Sequence, residues 1–288
     1  MIQYDAKNWL TIVLRLSGSV LPRLLPRIIA AAGVGGVAAW AFVQHGTKIP
    51  TIVHTLIGVA LGLLLVFRTN ASYDRYWEGR RLLGGMVNRS RDLARQSASF
   101  IAERKVRVDI VRMVRAFFWL SMQGLRQERD LSALGDALTD DERRALEPVS
   151  ARAPVMATWL SERITAESDA GRLSDARLQM MDANVQVLID NLGGAERIVK
   201  TPIPFAYAQH IKTFVVLFCF SAPFDMSEMM RWYTPVAAAI LAFALFGIDD
   251  IGVEIEDPCG YDPNDLAIEQ IGEGIVKVTE EIISVRRP

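Results

Sequence analysis

Four stretches of this chain are nearly free of charge, and strongly charged sequence separates the second from the third. Residues 28–43, IIAAAGVGGVAAWAFV, are rich in Gly and Ala. Residues 51–67, TIVHTLIGVALGLLLVF, contain only His54 among titratable groups. Residues 203–222, IPFAYAQHIKTFVVLFCFSA, carry His210 and Lys212, and residues 233–248, YTPVAAAILAFALFGI, are clean again. A membrane helix needs about 20 mainly apolar residues, and each window reaches that length once its flanks are added. Trp40, Trp232 and Tyr233 suit interfacial positions at the ends of such helices. Buried helices of a large soluble core are the competing reading. Four windows with short connectors favour membrane spans.

The second window runs without a proline straight into RTNASYDRYWEGRR, residues 68–81. The segment 68–202 has the pattern of a water-soluble helical bundle. Val108, Val111, Ala116 and Leu120 recur at helical spacing. LTDDERRAL, residues 138–146, carries a capping box with Thr139 as N-cap and Glu142 three residues on. Residues 172–198 predict one long amphipathic helix, which Pro202 and Pro204 end. Pro223 is expected to end the third span, and Pro235 to stand in the first turn of the fourth. No β-type alternation of useful length and no internal repeat is visible. The expected fold class is an all-α membrane protein, with four transmembrane helices continuous with a cytosolic helical bundle. The expected divisions are 1–67 (an N-terminal helix and the first two spans), 68–202 (helical bundle), 203–250 (the last two spans) and 251–288 (C-terminal helix and tail).

Composition supports this division. The chain has 288 residues, 51% hydrophobic and 23% charged, and a mean hydropathy of +0.20 that averages two unlike populations. A net charge of −1 offers no basic excess for phosphates, which argues against a nucleic-acid partner. Cys219 and Cys259 form neither a metal-ligand spacing nor a disulfide framework. MIQYDAKNWL lacks the layout of a cleavable signal peptide. Residues 1–27 hold Lys7, Arg15, Arg23 and Arg27 against Asp5. The connector 44–50 holds only Lys48, and the connector 223–232 holds Asp225, Glu228 and Arg231. The positive-inside rule then places both termini and the segment 68–200 in the cytoplasm.

Catalytic chemistry is hard to find. His45, His54 and His210 lie at or within apolar windows, with no HExxH and no Cys-His spacing. GRRLLGG, residues 79–85, lacks the Gly-Lys-Ser/Thr end of a phosphate loop. SGS, residues 17–19, follows no strand and is no nucleophile elbow. The acids Asp249, Asp250, Glu254, Glu256 and Asp257 read either as metal ligands or, preferably, as a solvated helix face leaving the membrane. An enzyme is not expected.

Val59, Leu63 and Phe67 stand four apart and share one helix face, with Gly58 and Gly62 one residue earlier on a neighbouring face. Small residues at such positions let helices approach closely. The apolar stripe faces lipid, packs on other spans, or lines a hole made by several copies around an axis. In the last case it forms an apolar constriction that gates without binding ions. A transporter with a site at Lys212 and His210 lacks the repeated halves such proteins show. A membrane scaffold leaves the stripe unexplained.

GSVL (18–21), FRTNASYDRYWEGR (67–80), TPIPFAYAQH (201–210) and EIEDPCGYDPNDL (254–266) resemble, in this order, the marks of the bestrophin family, most of all its bacterial branch. The resemblance covers essentially the whole chain. It implies a homopentameric ion channel in the bacterial inner membrane, in contact with lipids and permeating inorganic ions. It implies a neck at Val59, Leu63 and Phe67, Gly58 and Gly62 packing beside it, and a cytosolic aperture at Ala176, the last residue of GRLSDA (171–176). Asp74, Arg75 and Glu78 would tie neighbouring helices and subunits together. In eukaryotic members the segment around DPCGYDPND binds calcium. Here Tyr261 and Pro263 interrupt the acidic run, so no cofactor is expected, and Asp262 and Asp265 are the residues a calcium ion would use. The branch resemblance implies monovalent cations as the conducted ions, with a chloride or other anion channel of the same architecture as the alternative.

Overall fold

The computed structural model describes every residue except 1, 3, 4, 6, 48, 50 and 286–288, and the whole of each described residue apart from the Val53 side chain. Lys48, one of the charges behind the expected orientation, lies outside the described residues. The described chain is helical: α1 (Trp9–Leu14), α2 (Leu21–His45), α3 (Thr51–Phe100), α4 (Arg104–Leu125), α5 (Asp140–Leu146), α6 (Arg152–Asp169), α7 (Asp175–Lys200), α8 (Phe205–Met230), α9 (Thr234–Glu254) and α10 (Ile268–Ser284). Short 3-10 turns occupy Leu131–Ala137 and Arg231–Tyr233. No strand occurs among the described residues.

The helices group into two compact units. The first is Met1–Tyr76, Pro202–Asp257 and Tyr261–Asp265; the second is Trp77–Thr201, Pro258–Gly260 and Leu266–Pro288. Helix α3 contributes to both, because 50 residues without a proline give it no reason to stop.

In the first unit, α2, α8, α9 and the start of α3 pack around Leu24, Ala31, Leu61, Leu65, Ile211, Val215, Cys219, Ala242 and Phe246. Ala31, Gly35, Ala38 and Ala39 of α2 are buried. A Cβ on Gly35 would lie 2.9 Å from Pro235 Cα and 3.0 Å from Ala238 Cβ, so glycine is what lets α2 and α9 touch. Three segments are long and apolar enough to cross a membrane: Leu21–His45, His54–Phe100 and Phe205–Glu254. The third contains both α8 and α9. Arg231, at φ 48°, breaks the helix between them. The Thr234 hydroxyl donates to Arg231 O at 2.6 Å as α9 starts, with Pro235 in its first turn as the sequence predicts. Pro223 does not end α8. It sits buried inside a helix that continues to Met230, because a single lost N–H is tolerated where neighbouring helices enclose the backbone.

In the second unit α4 is the central helix. Its buried face runs through Val106, Ile110, Val114 and Phe117, so Val111, Ala116 and Leu120 are buried as their spacing predicts, whereas Val108 points outward. Helices α6 and α7 add Leu160, Ile164, Met181 and Leu188, and α10 adds Ile275. The capping box forms: Glu142 N–H donates to Thr139 Oγ1 at 3.2 Å, and Thr139 N–H to Glu142 Oε2 at 2.8 Å. Helix α7 is the long helix expected before Pro202 and Pro204. Cys219 and Cys259 are both buried and neither is in a disulfide.

Candidate functional site

On α3 the apolar positions divide by side. Leu61 and Leu65 enter the first unit's core. Val59, Leu63 and Phe67 stand outside it, at 71%, 55% and 56% exposure. Gly58 faces inward, and a Cβ there would lie 3.1 Å from Phe218 Cζ of α8, so a small residue serves close packing at that point. A Cβ on Gly62 would meet nothing within 4 Å among the described residues. Among the described residues the stripe is therefore an apolar surface left largely uncovered.

The next residue reverses the pattern. Arg68 is only 2% exposed, and its Nη2 donates to Glu256 Oε2 at 2.8 Å. Glu256 Oε1 accepts from Ile203 N–H at 2.9 Å, and Glu256 O accepts from Arg75 Nε at 3.1 Å. Nearby acids on α9 have partners too. Asp249 accepts from Lys212 Nζ at 2.7 Å, and Asp250 from Arg27 Nη1 at 2.8 Å. Glu254 accepts from the Asn264 side-chain amide at 2.8 Å. The expected solvated helix face is thus replaced by a layer of ion pairs in which α2, α3 and α8 each bring a cation to the end of α9. Desolvated carboxylates require such partners, and that requirement accounts for Lys212 inside an apolar window.

Arg75 contacts the Glu256 carbonyl, and Glu78 pairs with Arg197 Nη2 at 2.6 Å within the second unit. Asp74 is exposed and has no partner among the described residues. Ala176 is exposed in the first turn of α7. The loop that leads to it is tied down by Glu167, which is almost fully buried. Arg172 Nε and Nη2 donate to its two carboxylate oxygens at 2.8 and 2.9 Å, and Arg163 Nη1 donates at 3.0 Å. The Glu167 carbonyl also accepts from the backbone N–H groups of Arg172 and Leu173, at 2.9 and 3.0 Å. The guanidinium groups of Arg172 and then Arg163 hold the Glu167 carboxyl down at about 2.

Asp262 and Asp265 occupy one tight turn. Asp265 is buried, and its Oδ2 accepts from Asp262 N–H at 2.7 Å. Burial, with Asp262, Asp257 and Glu254 nearby, pushes the Asp265 carboxyl up to about 6. Asp262 is exposed and turns to Arg23 Nη2, 3.3 Å away. No group of three or more His, Cys, Asp or Glu side chains converges as a metal site among the described residues. Calcium takes six to eight oxygens; of the two residues named for it, Asp262 is engaged by Arg23 and Asp265 by a backbone N–H.

Sequence reading named the stripe but missed the ion-pair layer and the Glu167 clamp. Lys212 in an apolar window was a signal for the first. The second had no comparable signal, since Glu167 and Arg172 look like any charged pair in a soluble helix.

The comparisons with known proteins agree in one direction. The profile described as Bacterial/Fungal Bestrophin protein matches residues 1–281. A voltage-dependent anion channel-forming protein of Nostoc sp. is 34% identical over 285 residues, covering 97% of this chain and 93% of the relative. A protein of the same description from Ralstonia nicotianae is 34% identical over 296 residues, covering 96% and 92%. The crystal structure of a bacterial bestrophin homolog from Klebsiella pneumoniae superposes with a TM-score of 0.86 at 27% identity, covering 93% of this chain and 100% of that one. With a helical fold that superposes throughout, and a profile match over almost every residue, the chain belongs to the bestrophin family, in its bacterial and fungal branch.

Proposed function

We propose that this bestrophin-family ion channel is a homopentamer of four-span subunits in a bacterial inner membrane, with both termini in the cytoplasm, and that it conducts ions passively along one axial pore. The observation that carries the reading is the exposed stripe of Val59, Leu63 and Phe67 on the outside of an otherwise well-packed unit. Five copies of such a stripe around an axis make a narrow apolar neck, which gates by dewetting and small side-chain movements. Below it, the exposed polar residues of α3 line a wider aqueous path, and Ala176 forms a wide second aperture. Selectivity is assigned to anions, in place of the monovalent cations that the branch resemblance implied, because the curated relatives are described as anion channel-forming proteins. The neck has no formal charge of its own.

The experiment is a reversal-potential measurement on purified protein in planar bilayers under a tenfold KCl gradient, with the oligomer mass determined by light scattering. Reversal near the chloride potential and a mass of five chains support the proposal. Reversal near the potassium potential overturns the anion assignment and restores the cation reading. Absence of current from an intact oligomer overturns the channel itself.

A further inference from the structure

Arg68 and Ser72 are one helical turn apart on α3 and both are fully or almost fully buried. Among the described residues, only the Nη2 of Arg68 has a protein partner. Its Nε and Nη1, and the Ser72 hydroxyl, are buried without a hydrogen-bond partner. Gly252 of α9 lies opposite. A Cβ built on it would sit 3.7 Å from Arg68 Cγ and 3.8 Å from Ser72 Oγ. The absent side chain therefore leaves a methyl-sized niche that faces both residues.

Donors outnumber acceptors here. The Ser72 hydroxyl stands at the niche itself, and Arg68 borders it through Cγ, with the unpartnered Nε and Nη1 further along the same buried side chain. Glu256 is engaged, receiving Arg68 on one oxygen and Ile203 on the other. The Thr69 hydroxyl donates within its own helix to Leu65 O at 2.9 Å. Asp249, one turn before Gly252, has one oxygen on Lys212 and one without a partner. Lys212 balances its charge. A monatomic anion accepts from several directions at once and needs no acceptor in return.

We propose that Arg68, Ser72 and the Gly252 niche form a halide site within each subunit, which chloride occupies. It is separate from the conduction path assigned above and stands one residue beyond Phe67. A bound chloride completes the contacts between α3 and α9 there, so anion concentration sets how firmly the end of the neck is held. That last role rests on the channel reading; the site does not.

The test uses the purified full-length protein in detergent at constant ionic strength, with sodium gluconate replaced stepwise by chloride or bromide. Binding raises the unfolding midpoint by roughly 2–4 °C at about five times the dissociation constant for a chain of this size, and the rise continues with the logarithm of halide concentration above that constant. Gly252→Ala fits by ordinary van der Waals contact and fills the niche, so it should unfold normally yet lose the halide-dependent part of the shift. Ser72→Ala should weaken it, with a smaller shift at each halide concentration. Bromide-soaked crystals should give an anomalous peak between Arg68 and Ser72. A wild-type midpoint equal in gluconate, chloride and bromide overturns the site. Unchanged halide dependence in both variants overturns it too. Neither result touches the reversal potential, which tests the channel reading separately.

Discussion

In the first unit Ile29, Val37, Leu217 and Trp232 stand exposed, while Arg68, Asp249 and Glu254 are buried. In the second unit Phe117, Phe118, Leu160 and Met181 are buried, while Arg95 and Arg144 are mostly exposed even though each contacts an acid. The difference is the one expected of a unit with membrane-spanning helices beside a unit packed against water. Where the surroundings are hydrocarbon, apolar side chains gain little by turning inward, and helices associate through small residues and polar contacts. Where the surroundings are water, burial of apolar area does most of the work and surface ion pairs add little. Two arginine–carboxylate contacts make the contrast concrete. Arg172 meets Glu167 with two donors at the rim of the second unit. Arg68 meets Glu256 with one nitrogen deep in the first unit.

The largest effect that would sharpen this contrast is at Glu256. Glu256→Leu leaves Arg68 buried without its counter-charge and should cost about 3–5 kcal/mol, read as loss of the oligomer on heating in detergent. An effect under about 1 kcal/mol, the surface range, would break the comparison by showing that water reaches Arg68.

Next comes Glu167. Glu167→Ala removes three charge-assisted hydrogen bonds but leaves arginines that reach solvent, so a loss of about 2–3 kcal/mol is expected. The contact has a pH signature. The folded carboxyl titrates at about 2, below its ordinary 4.5. Its contribution is thus present above pH 4.5 and is lost as pH falls from there through about 2. Acid unfolding followed by circular dichroism should show this loss in the wild type, and Glu167→Gln should flatten it.

A smaller effect is expected at the capping box. Thr139→Ala should cost about 1 kcal/mol, confined to the second unit and visible as faster amide exchange in α5. Smallest in stability is Phe67→Ala, expected within about 0.5 kcal/mol because the ring touches little of its own subunit. The same variant should raise single-channel conductance or open probability. Large destabilisation with unchanged current would mean that Phe67 packs against protein rather than lining the neck.

Much of the helical frame was legible because it rests on local chemistry. Thr139 with Glu142, Pro235 at a helix start and the prolines after α7 act within a few residues of themselves. The stripe of Val59, Leu63 and Phe67 follows from helical period alone. What could not be read depends on partners far along the chain. Glu256 lies 188 residues from Arg68, and no periodicity announces that an exposed-looking acid will be neutralised by an arginine on another helix. Pro223 was misread for a similar reason: proline ends an isolated helix, while an enclosing bundle lets the helix continue.

The two cysteines have a practical consequence. Cys219 and Cys259 are both shut away from solvent in the folded chain. A thiol introduced at Val59, Phe67 or Ala176 would then be the accessible one, without first removing the native pair. Water-soluble maleimides applied from either face of the membrane would label such positions at rates that report how far water penetrates the neck, and whether that distance changes when current starts to flow.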